Sequence, residues 1–223
     1  MTRTLSEADS KALLAPYGIP FLPERVVATA AEAASACAEL GAPVVAKLCG
    51  DTISHKTERG LVRLGLADPA ATEAAAAQLL EAARPDDGDV AVLVAPMVRA
   101  TRELIAGVAH DPQFGPTVLL GVGGVLAEAI ADVVVRLVPV TEVDAHEMID
   151  DLASQPLLGP FRGEPAVDRD ALATVVVALS QACRREPSLV SVDLNPLMIV
   201  DGRPVAVDAL VELAEPGGAG GDR

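Results

Sequence analysis

Aromatic side chains are nearly absent. Among 223 residues there is no Trp, one Tyr and three Phe, which excludes base-stacking platforms and aromatic cages. Positive charge is also scarce. Seventeen Lys and Arg face 32 Asp and Glu, a net charge of −15, and such a chain is repelled by a phosphodiester backbone. Cys37, Cys49 and Cys183 are scattered and odd in number, with no C-x-x-C, so a disulfide framework or a zinc site is not expected and a reducing cytoplasm fits. The N-terminal residues 1–7 lack the apolar region of a secretory leader. The longest apolar stretch, Thr117 to Val140, carries Glu128, Asp132 and Arg136, too many charges for a membrane span. Neither G-x-G-x-x-G nor a Walker lysine motif occurs. These absences predict a cytoplasmic protein that partners neither nucleic acid nor membrane.

What is present is core-forming material. Hydrophobic residues make up 51% of the chain, and the core must be built from Ala, Val and Leu. The length suits one compact domain or two small subdomains sharing a site. Residues 6–17 read as a helix capped by Ser6 and stopped by Gly18-Ile19-Pro20. A second helix is expected over 30–40, then a buried strand over 42–48 that bears one lysine. Residues 50–60 read as a polar loop, 61–66 as a strand, 69–84 as an Ala-rich helix and 90–94 as a strand. The second half predicts strands near 103–109, 117–122 and 133–138, and helices near 124–130, 142–152 and 168–185. Apolar runs near 190–194, 197–200 and 204–208 close the chain, with Asp201-Gly202 as a hairpin signal. This alternation predicts an α/β (α+β) layered fold. Residues 215–223, rich in glycine, read as a disordered tail.

Several residues could carry chemistry, each with a plainer alternative. His55 lies in the polar loop and is either a solvent-exposed histidine or an imidazole that accepts a phosphoryl group. Lys47 cannot stay unpaired cheaply on a buried strand; its partner is a carboxylate or a phosphate. Asp193 and Asn195 are two apart on a strand and so share a face, and the Asp201-Gly202 hairpin would return Asp208 to them. Two carboxylates and an amide oxygen form a hard oxygen site suited to Mg²⁺; the alternative is a turn with solvated acids. Gly121, Gly123 and Gly124 follow an apolar strand and read either as a phosphate cradle or as packing glycines. Arg102 and Glu103 open a strand. Arg136, inside an apolar run, reads as a buried arginine needing an anion: Glu128, Glu103 or a ligand phosphate.

The order of motifs is more informative than any one of them. Pro43-Val44-Val45-Ala46-Lys47 is followed by Ile53-Ser54-His55-Lys56-Thr57, Asp111-Pro112-Gln113-Phe114-Gly115-Pro116 and Gly121-Val122-Gly123-Gly124. Arg136-Leu137-Val138-Pro139, Arg162-Gly163-Glu164-Pro165 and Asp193-Leu194-Asn195-Pro196-Leu197 complete the series. From about Leu5 to Leu213 the chain resembles the ATP-grasp subunit of ADP-forming (NDP-forming) acyl-CoA synthetases, the acetate–CoA ligase type. The resemblance implies an ATP-grasp fold whose two subdomains grip ATP. It divides the chain into an N-terminal helical segment (1–24), a small lid subdomain (25–97), a large subdomain with the metal site (98–214) and the tail. It implies that Lys47 contacts ATP phosphates and that the hinge Leu93, Val94, Ala95, Pro96, Met97 and Val98 holds adenine. Glu103 and Arg136 join the nucleotide-binding set, and Asp193, Asn195 and Asp208 hold Mg²⁺. His55 relays a phosphoryl group between ATP/ADP and a phosphohistidine on a partner CoA-binding subunit of the alpha type, in a hetero-oligomer. The reaction implied is acyl-CoA + ADP + phosphate ⇌ acid + CoA + ATP.

The chain departs from the family pattern at four places. Leu61 stands where a second glycine is usual after the histidine loop. Ala95-Pro96 replaces a glutamine–glutamate pair, and Pro96 has no N–H to offer adenine. Thr101 stands where glycine is common, and Leu210 where a basic residue is usual. Two alternatives to the relay follow: a non-catalytic nucleotide-binding regulatory module, or an ATP-grasp carboxylate ligase acting through an acyl phosphate.

Overall fold

The computed structural model describes residues 2–50, 53, 59–124 and 130–215. The chain divides into two compact units. One comprises Leu5–Asp9 and Leu22–Arg99; the other comprises Met1–Thr4, Ser10–Phe21 and Ala100–Arg223.

The smaller unit is a four-stranded antiparallel sheet, β2-β5-β3-β4, made of β2 (Arg25–Val27), β5 (Ala91–Pro96), β3 (Val44–Cys49) and β4 (Val62–Leu66). Helices α2 (Ala30–Leu40) and α3 (Pro69–Glu81) cover one face. Each helix has a defined start. Thr29 and Glu32 form a reciprocal capping box on α2, and Asp68 caps α3 with Pro69 in its first turn. Gly41, at φ 83°, ends α2 and donates its N–H to the Cys37 carbonyl. Strand alternation sends Val44, Ala46 and Leu48 toward the helices, where they meet Ala33, Ala36, Ala76 and Leu79. Small alanines on both helices supply most of that contact, as the shortage of aromatics requires. Val45 and Cys49, on the opposite face of β3, pack with Leu93, Ala95 and Ala8.

The larger unit is a seven-stranded sheet. Its order is β1-β11-β9-β6-β7-β8, with β10 also paired to β9. The strands are β1 (Thr2–Thr4), β6 (Glu103–Asp111), β7 (Gly115–Val122), β8 (Val133–Leu137), β9 (Leu189–Val200), β10 (Arg203–Ala206) and β11 (Leu210–Ala214). Helix α4 (Glu142–Asp151) packs on α5 (Arg169–Arg185), whose face Leu172, Val175, Val176 and Leu179 is buried. Helix α1 (Glu7–Leu14) is shorter than expected: a 3₁₀ turn over Ala15–Tyr17 completes it before Gly18. The Asp-Pro-Gln-Phe-Gly-Pro run is the β6–β7 turn, where the Asp111 carboxylate accepts from the N–H groups of Gln113 and Phe114 at 2.8 and 2.9 Å. No described helix is long and apolar enough to cross a membrane.

Three short strands lie outside the sequence-based expectations: β1, β2 and β11. The runs 190–194 and 197–200 are a single strand, because β9 passes through Asn195-Pro196 with a register shift opposite Leu104 and Ala106 of β6. A proline without an N–H is accommodated at such an irregularity. The helix expected over 124–130 falls largely outside the described residues, as do the histidine loop 54–58 and the tail after Glu215.

Candidate active site

The carboxylate pair comes from one hairpin. β9 runs out from Asp193, turns at Asp201-Gly202 and returns as β10, with Val200 opposite Arg203 and Leu197 opposite Ala206. Asp201 and Gly202 both have positive φ, 50° and 81°, the conformation a two-residue hairpin turn demands. Asp208 follows directly, between β10 and β11. Val192 and Leu194 are buried while Asp193 and Asn195 are exposed on the other face of β9. Asp193 is accessible to solvent, yet the protein packed around its carboxylate desolvates it. That burial, followed by the nearby charge of Asp208, raises its pKa above the ordinary carboxylate value. The sequence expectation that Asp208 returns to the neighbourhood of Asp193 matches this placement. Asp208 also accepts from the Ala209 N–H at 2.9 Å.

The set fits a hard divalent cation. The Asp193 carboxylate is desolvated and feels the charge of Asp208, and a bound cation would relieve both penalties. No group of three or more His, Cys, Asp or Glu side chains able to hold a metal occurs among the described residues. Two carboxylates and an amide leave coordination positions for water and phosphate, as Mg²⁺ prefers.

Lys47 sits on β3, opposite Leu93 of β5. Its ammonium is 2.7 Å from Glu7 Oε1, and both side chains are buried. Of the two expected partners the structure supplies the carboxylate. Glu7 occupies the first position of α1, where a negative charge is favoured by the helix dipole. Sequence reasoning passed over it; its one signal was an acid directly after the Ser6 cap. Leu93 and Val94 lie inside the sheet, flanked by both β2 and β3. Beyond them Pro96 has no N–H, and Met97 donates its own to the Pro43 carbonyl at 2.9 Å. The backbone of this segment is therefore largely spent on the sheet.

Glu103 and the glycines come together. The Gly123 N–H donates to the Glu103 carbonyl at 2.8 Å. A Cβ on Gly123 would lie 2.9 Å from the Leu104 carbonyl oxygen, and one on Gly121 would lie 2.8 Å from Val133 and 2.9 Å from the Asp132 carbonyl oxygen. Close backbone packing thus accounts for Gly121 and Gly123. Gly124, at φ 84°, faces the Glu103 side chain. Thr101, Glu103, Gly123, Gly124, Phe161 and Arg162 contribute to the lining of a cavity of about 360 Å³ in this unit.

Arg136 is not the buried arginine the sequence suggested. β8 is an edge strand, Arg136 is partly exposed, and its guanidinium pairs with Asp151 of α4 rather than with Glu103; Glu128 lies outside the described residues. Strands β6 and β7 lie between it and β9, so it does not join the Asp193 group. The alternation in β8 leaves Val133, Val135 and Leu137 exposed; an apolar run at a sheet edge mimics a buried strand. The buried arginine is Arg102. It donates to the Glu164 carboxylate at 3.2 Å and to the carbonyls of Leu157, Gly159 and Pro165 at 3.3, 3.1 and 2.6 Å. Thr101 adds a hydroxyl bond to Glu164 at 2.8 Å. The Arg-Gly-Glu-Pro element is thereby stapled to the start of β6.

His55 lies outside the described residues, but the residues that flank its loop are in place. Ile53 and Leu61 are buried in the core under α2 and α3. Arg59 makes a two-pronged bond to Asp87 at 2.8 and 2.8 Å. With the backbone N–H of Arg84, this holds the Asp87 carboxyl down at about 2.

Two α+β units built on antiparallel sheets, one with a lysine on a buried strand and the other with Asp193, Asn195 and Asp208 on and beside one hairpin, have the architecture that the resemblance to ATP-grasp proteins implies. Comparison with known proteins agrees. The sequence model of the ATP-grasp domain matches residues 1–213. The beta subunit of acetate–CoA ligase [ADP-forming] I from Pyrococcus furiosus is 35% identical over 210 residues, covering 93% of this chain and 90% of that one. Acetyl-coenzyme A synthetase 1 of Ca. Korarchaeum cryptofilum, in complex with coenzyme A, Ca-AMPCP and HgCl⁺, superposes with a TM-score of 0.87 at 31% identity, covering 95% of this chain and 93% of that one. The same enzyme with coenzyme A and Mg-AMPPCP, its phosphohistidine segment pointing towards the nucleotide binding site, gives a TM-score of 0.80 at 33% identity, covering 93% and 91%. The chain belongs to the ATP-grasp family, in the group formed by the beta subunits of ADP-forming acetate–CoA ligases.

Proposed function

We propose that this chain is the ATP-grasp subunit of an ADP-forming acid–CoA ligase and relays a phosphoryl group through His55. The observation that carries the reading is the hairpin that brings Asp208 within electrostatic range of Asp193, two hard oxygen donors suited to a divalent cation. The relatives add the context of a nucleotide, Mg²⁺ and a phosphohistidine segment. Their beta-subunit naming supports a partner subunit; we assign that partner the CoA-binding role.

In this reading Asp193, Asn195 and Asp208 hold Mg²⁺, which supplies charge neutralisation for the ATP phosphates when bound. Lys47 contributes a fixed positive charge and Glu7 fixes its direction. Leu93 to Val98 are assigned to the adenine, and Glu103 to nucleotide binding. Phosphoryl transfer depends mainly on such positioning and charge. The imidazole of His55 attacks the γ-phosphorus. An N–P bond forms as the bond to the bridging oxygen breaks, and ADP departs with the electron pair. The phosphoryl group then passes to a histidine of the partner, restoring the imidazole. Arg136 has no part in these steps.

The test is protein-bound label from γ-labelled ATP with Mg²⁺, on this chain and on His55→Ala. Acid-labile label on the wild type alone is expected, with transfer to an added CoA-binding subunit. ATP binding without label, even with that subunit present, would overturn the relay in favour of a regulatory module. Ligase activity that survives His55→Ala would point to an acyl phosphate route.

A further inference from the structure

The face of the larger sheet that bears Asp193 also carries an apolar margin. Helix α5 packs against β6 and β7 on the side of Ala106, Val108, Val118 and Leu120, all buried. Asp193 projects to the opposite side. Residues directly paired across antiparallel strands share a face. Gly107 stands opposite Asp193, Leu119 opposite Gly107 and Val135 opposite Leu119. One row thus runs from the acid to β8 across three strand spacings, about 14 Å. Along β8, Val133, Val135 and Leu137 are 45%, 49% and 52% exposed. A Cβ on Gly121 would lie 2.8 Å from Val133 Cγ2 and 3.3 Å from Ile105 Cγ1, so these two side chains reach over the glycine and carry the apolar surface onto β6. Phe114, 69% exposed, lies at the Leu137 end of the margin, where the Val138 N–H donates to the Pro116 carbonyl at 2.9 Å. The Asp111 carboxylate, accepting from the Phe114 N–H, fixes the turn that presents this ring.

We propose that the β8 margin, Val133, Val135 and Leu137 together with Phe114, is the docking surface for the CoA-binding partner subunit. The inference rests on the partner reading given above. An apolar strand at a sheet edge is a liability that proteins blunt with short or charged strands. The other end of this sheet is blunted so: β1 is only Thr2–Thr4, and its one long side chain is Arg3. β8 has four aliphatic residues in five and, among the described residues, no strand on its outer side. Apolar surface with an aromatic at its border is the composition of an interface centre, and Phe114 is one of only four aromatic residues in the chain. Charge selects the occupant. From 132 to 151 there are six acids, Asp132, Glu142, Asp144, Glu147, Asp150 and Asp151, and one base, Arg136. Two copies of this chain would set acidic rims against each other, whereas a partner with a basic rim finds a complement. Position agrees. The acceptor of the phosphoryl group must reach the Asp193 region, and a subunit seated on β8 stands on the same face, at the far end of one row.

The experiment measures binding of the full chain to the CoA-binding subunit from the same organism, for wild type, Val135→Lys, Phe114→Ser and the control Leu64→Ser. Leu64 is as exposed as Phe114 but lies on β4 of the smaller unit. Val135→Lys and Phe114→Ser should each weaken the complex by about tenfold or more, while Leu64→Ser stays within about twofold. Labelling of the isolated chains by γ-labelled ATP with Mg²⁺ should be the same in all four. Association should slow as salt is raised, because the acidic rim steers the partner. In the wild-type complex, amide exchange should slow at residues 113–115 and 133–137. If Val135→Lys does not fold, Phe114→Ser, in an exposed turn, decides. Wild-type affinity in the folded margin variants, or protection confined to other segments, would overturn the proposal and leave the partner reading standing. Self-association of the wild type that Val135→Lys abolishes, with partner binding intact, would overturn it in favour of a contact between two copies. A wild type that binds no CoA-binding subunit would bring down the partner reading and this surface with it.

Discussion

The ammonium of Lys47 is held 2.7 Å from the Glu7 carboxylate, with the glutamate side chain wholly removed from solvent. A central strand and the first residue of a helix are thereby joined by opposite charges at a place where neither would be stable alone. Breaking such a buried pair by deleting one partner typically costs about 3–5 kcal/mol. Glu7→Gln should therefore lower stability by an amount in that range, measured by denaturant unfolding. ATP should restore more of the lost stability in this variant than it adds to the wild type, because phosphate charge replaces the missing carboxylate. Equal ATP-induced shifts in melting temperature would remove Lys47 from the phosphate site. Lys47→Met, in turn, should weaken ATP binding by about 2–3 kcal/mol.

The proposed metal site predicts opposite signs for two measurements on one variant. Asp193 has a folded pKa above its unfolded value, so its ionisation opposes folding, and the cost grows as pH rises past that value. Asp193→Asn should leave the metal-free melting temperature unchanged or raise it by at most about 2 °C. It should abolish the rise that Mg²⁺ gives the wild type. Mg²⁺ affinity of the wild type should begin to fall at a pH above 3.8, as Asp193 takes up its proton. A variant that still responds to Mg²⁺ would place the cation elsewhere.

Acid sensitivity tests the Arg59–Asp87 fork without nucleotide. The Asp87 carboxyl is depressed to about 2 from 3.8, so its stabilising contribution is complete above pH 3.8 and is lost as pH falls toward 2. Asp87→Asn should be less stable than wild type at neutral pH, and the gap should narrow below pH 4. Parallel stability curves across that window would deny the fork any structural weight.

Arg102 donates to one carboxylate and three carbonyls. Arg102→Met removes all four bonds and leaves those acceptors without their donor, so a loss of about 3–5 kcal/mol is expected. Glu164→Gln keeps the carbonyl bonds and should cost markedly less. Chemical denaturation of the two variants compares them directly.

Gly107 lies opposite Asp193 in the β6–β9 ladder, and a Cβ there would sit 2.3 Å from the Val192 carbonyl oxygen. Gly107→Ala must push the two strands apart. A cost of about 1–3 kcal/mol is expected, with weaker Mg²⁺ binding because Asp193 is the residue displaced. An alanine tolerated without loss would mean the strands yield there.

Most elements were legible from period and punctuation. α2, α3, α4 and α5 follow their caps and breakers closely, because capping is a local interaction that sequence displays directly. β1 and β2 escaped because three polar or half-exposed residues at a sheet edge carry no periodic signal. β8 misled for the opposite reason: Val133, Val135 and Leu137 look like core but line an exposed edge, which turned Arg136 into an apparent buried ligand. The nearness of Asp208 to Asp193 was readable because one hairpin returns the chain beside β9. Glu7, Glu164 and Asp87 were not, since each meets its partner across 40, 62 and 28 residues respectively. No local rule selects one acid among 32 as the mate of a given base.

The Asp201-Gly202 turn bears on how this site can evolve. Its glycine is pressed so close to the Ala166 carbonyl oxygen, 2.6 Å from where a Cβ would fall, that the tip of the hairpin is docked and has no slack. The stretch from Asp193 to Asp208 therefore behaves as a cassette of fixed length. A single inserted residue on either arm would turn one acid to the opposite face of the sheet, while insertions beyond its ends leave the spacing untouched. Variation that preserves the site is thus confined to substitutions inside the cassette and to length changes outside it. Shuffling this hairpin between relatives should succeed only as an intact unit.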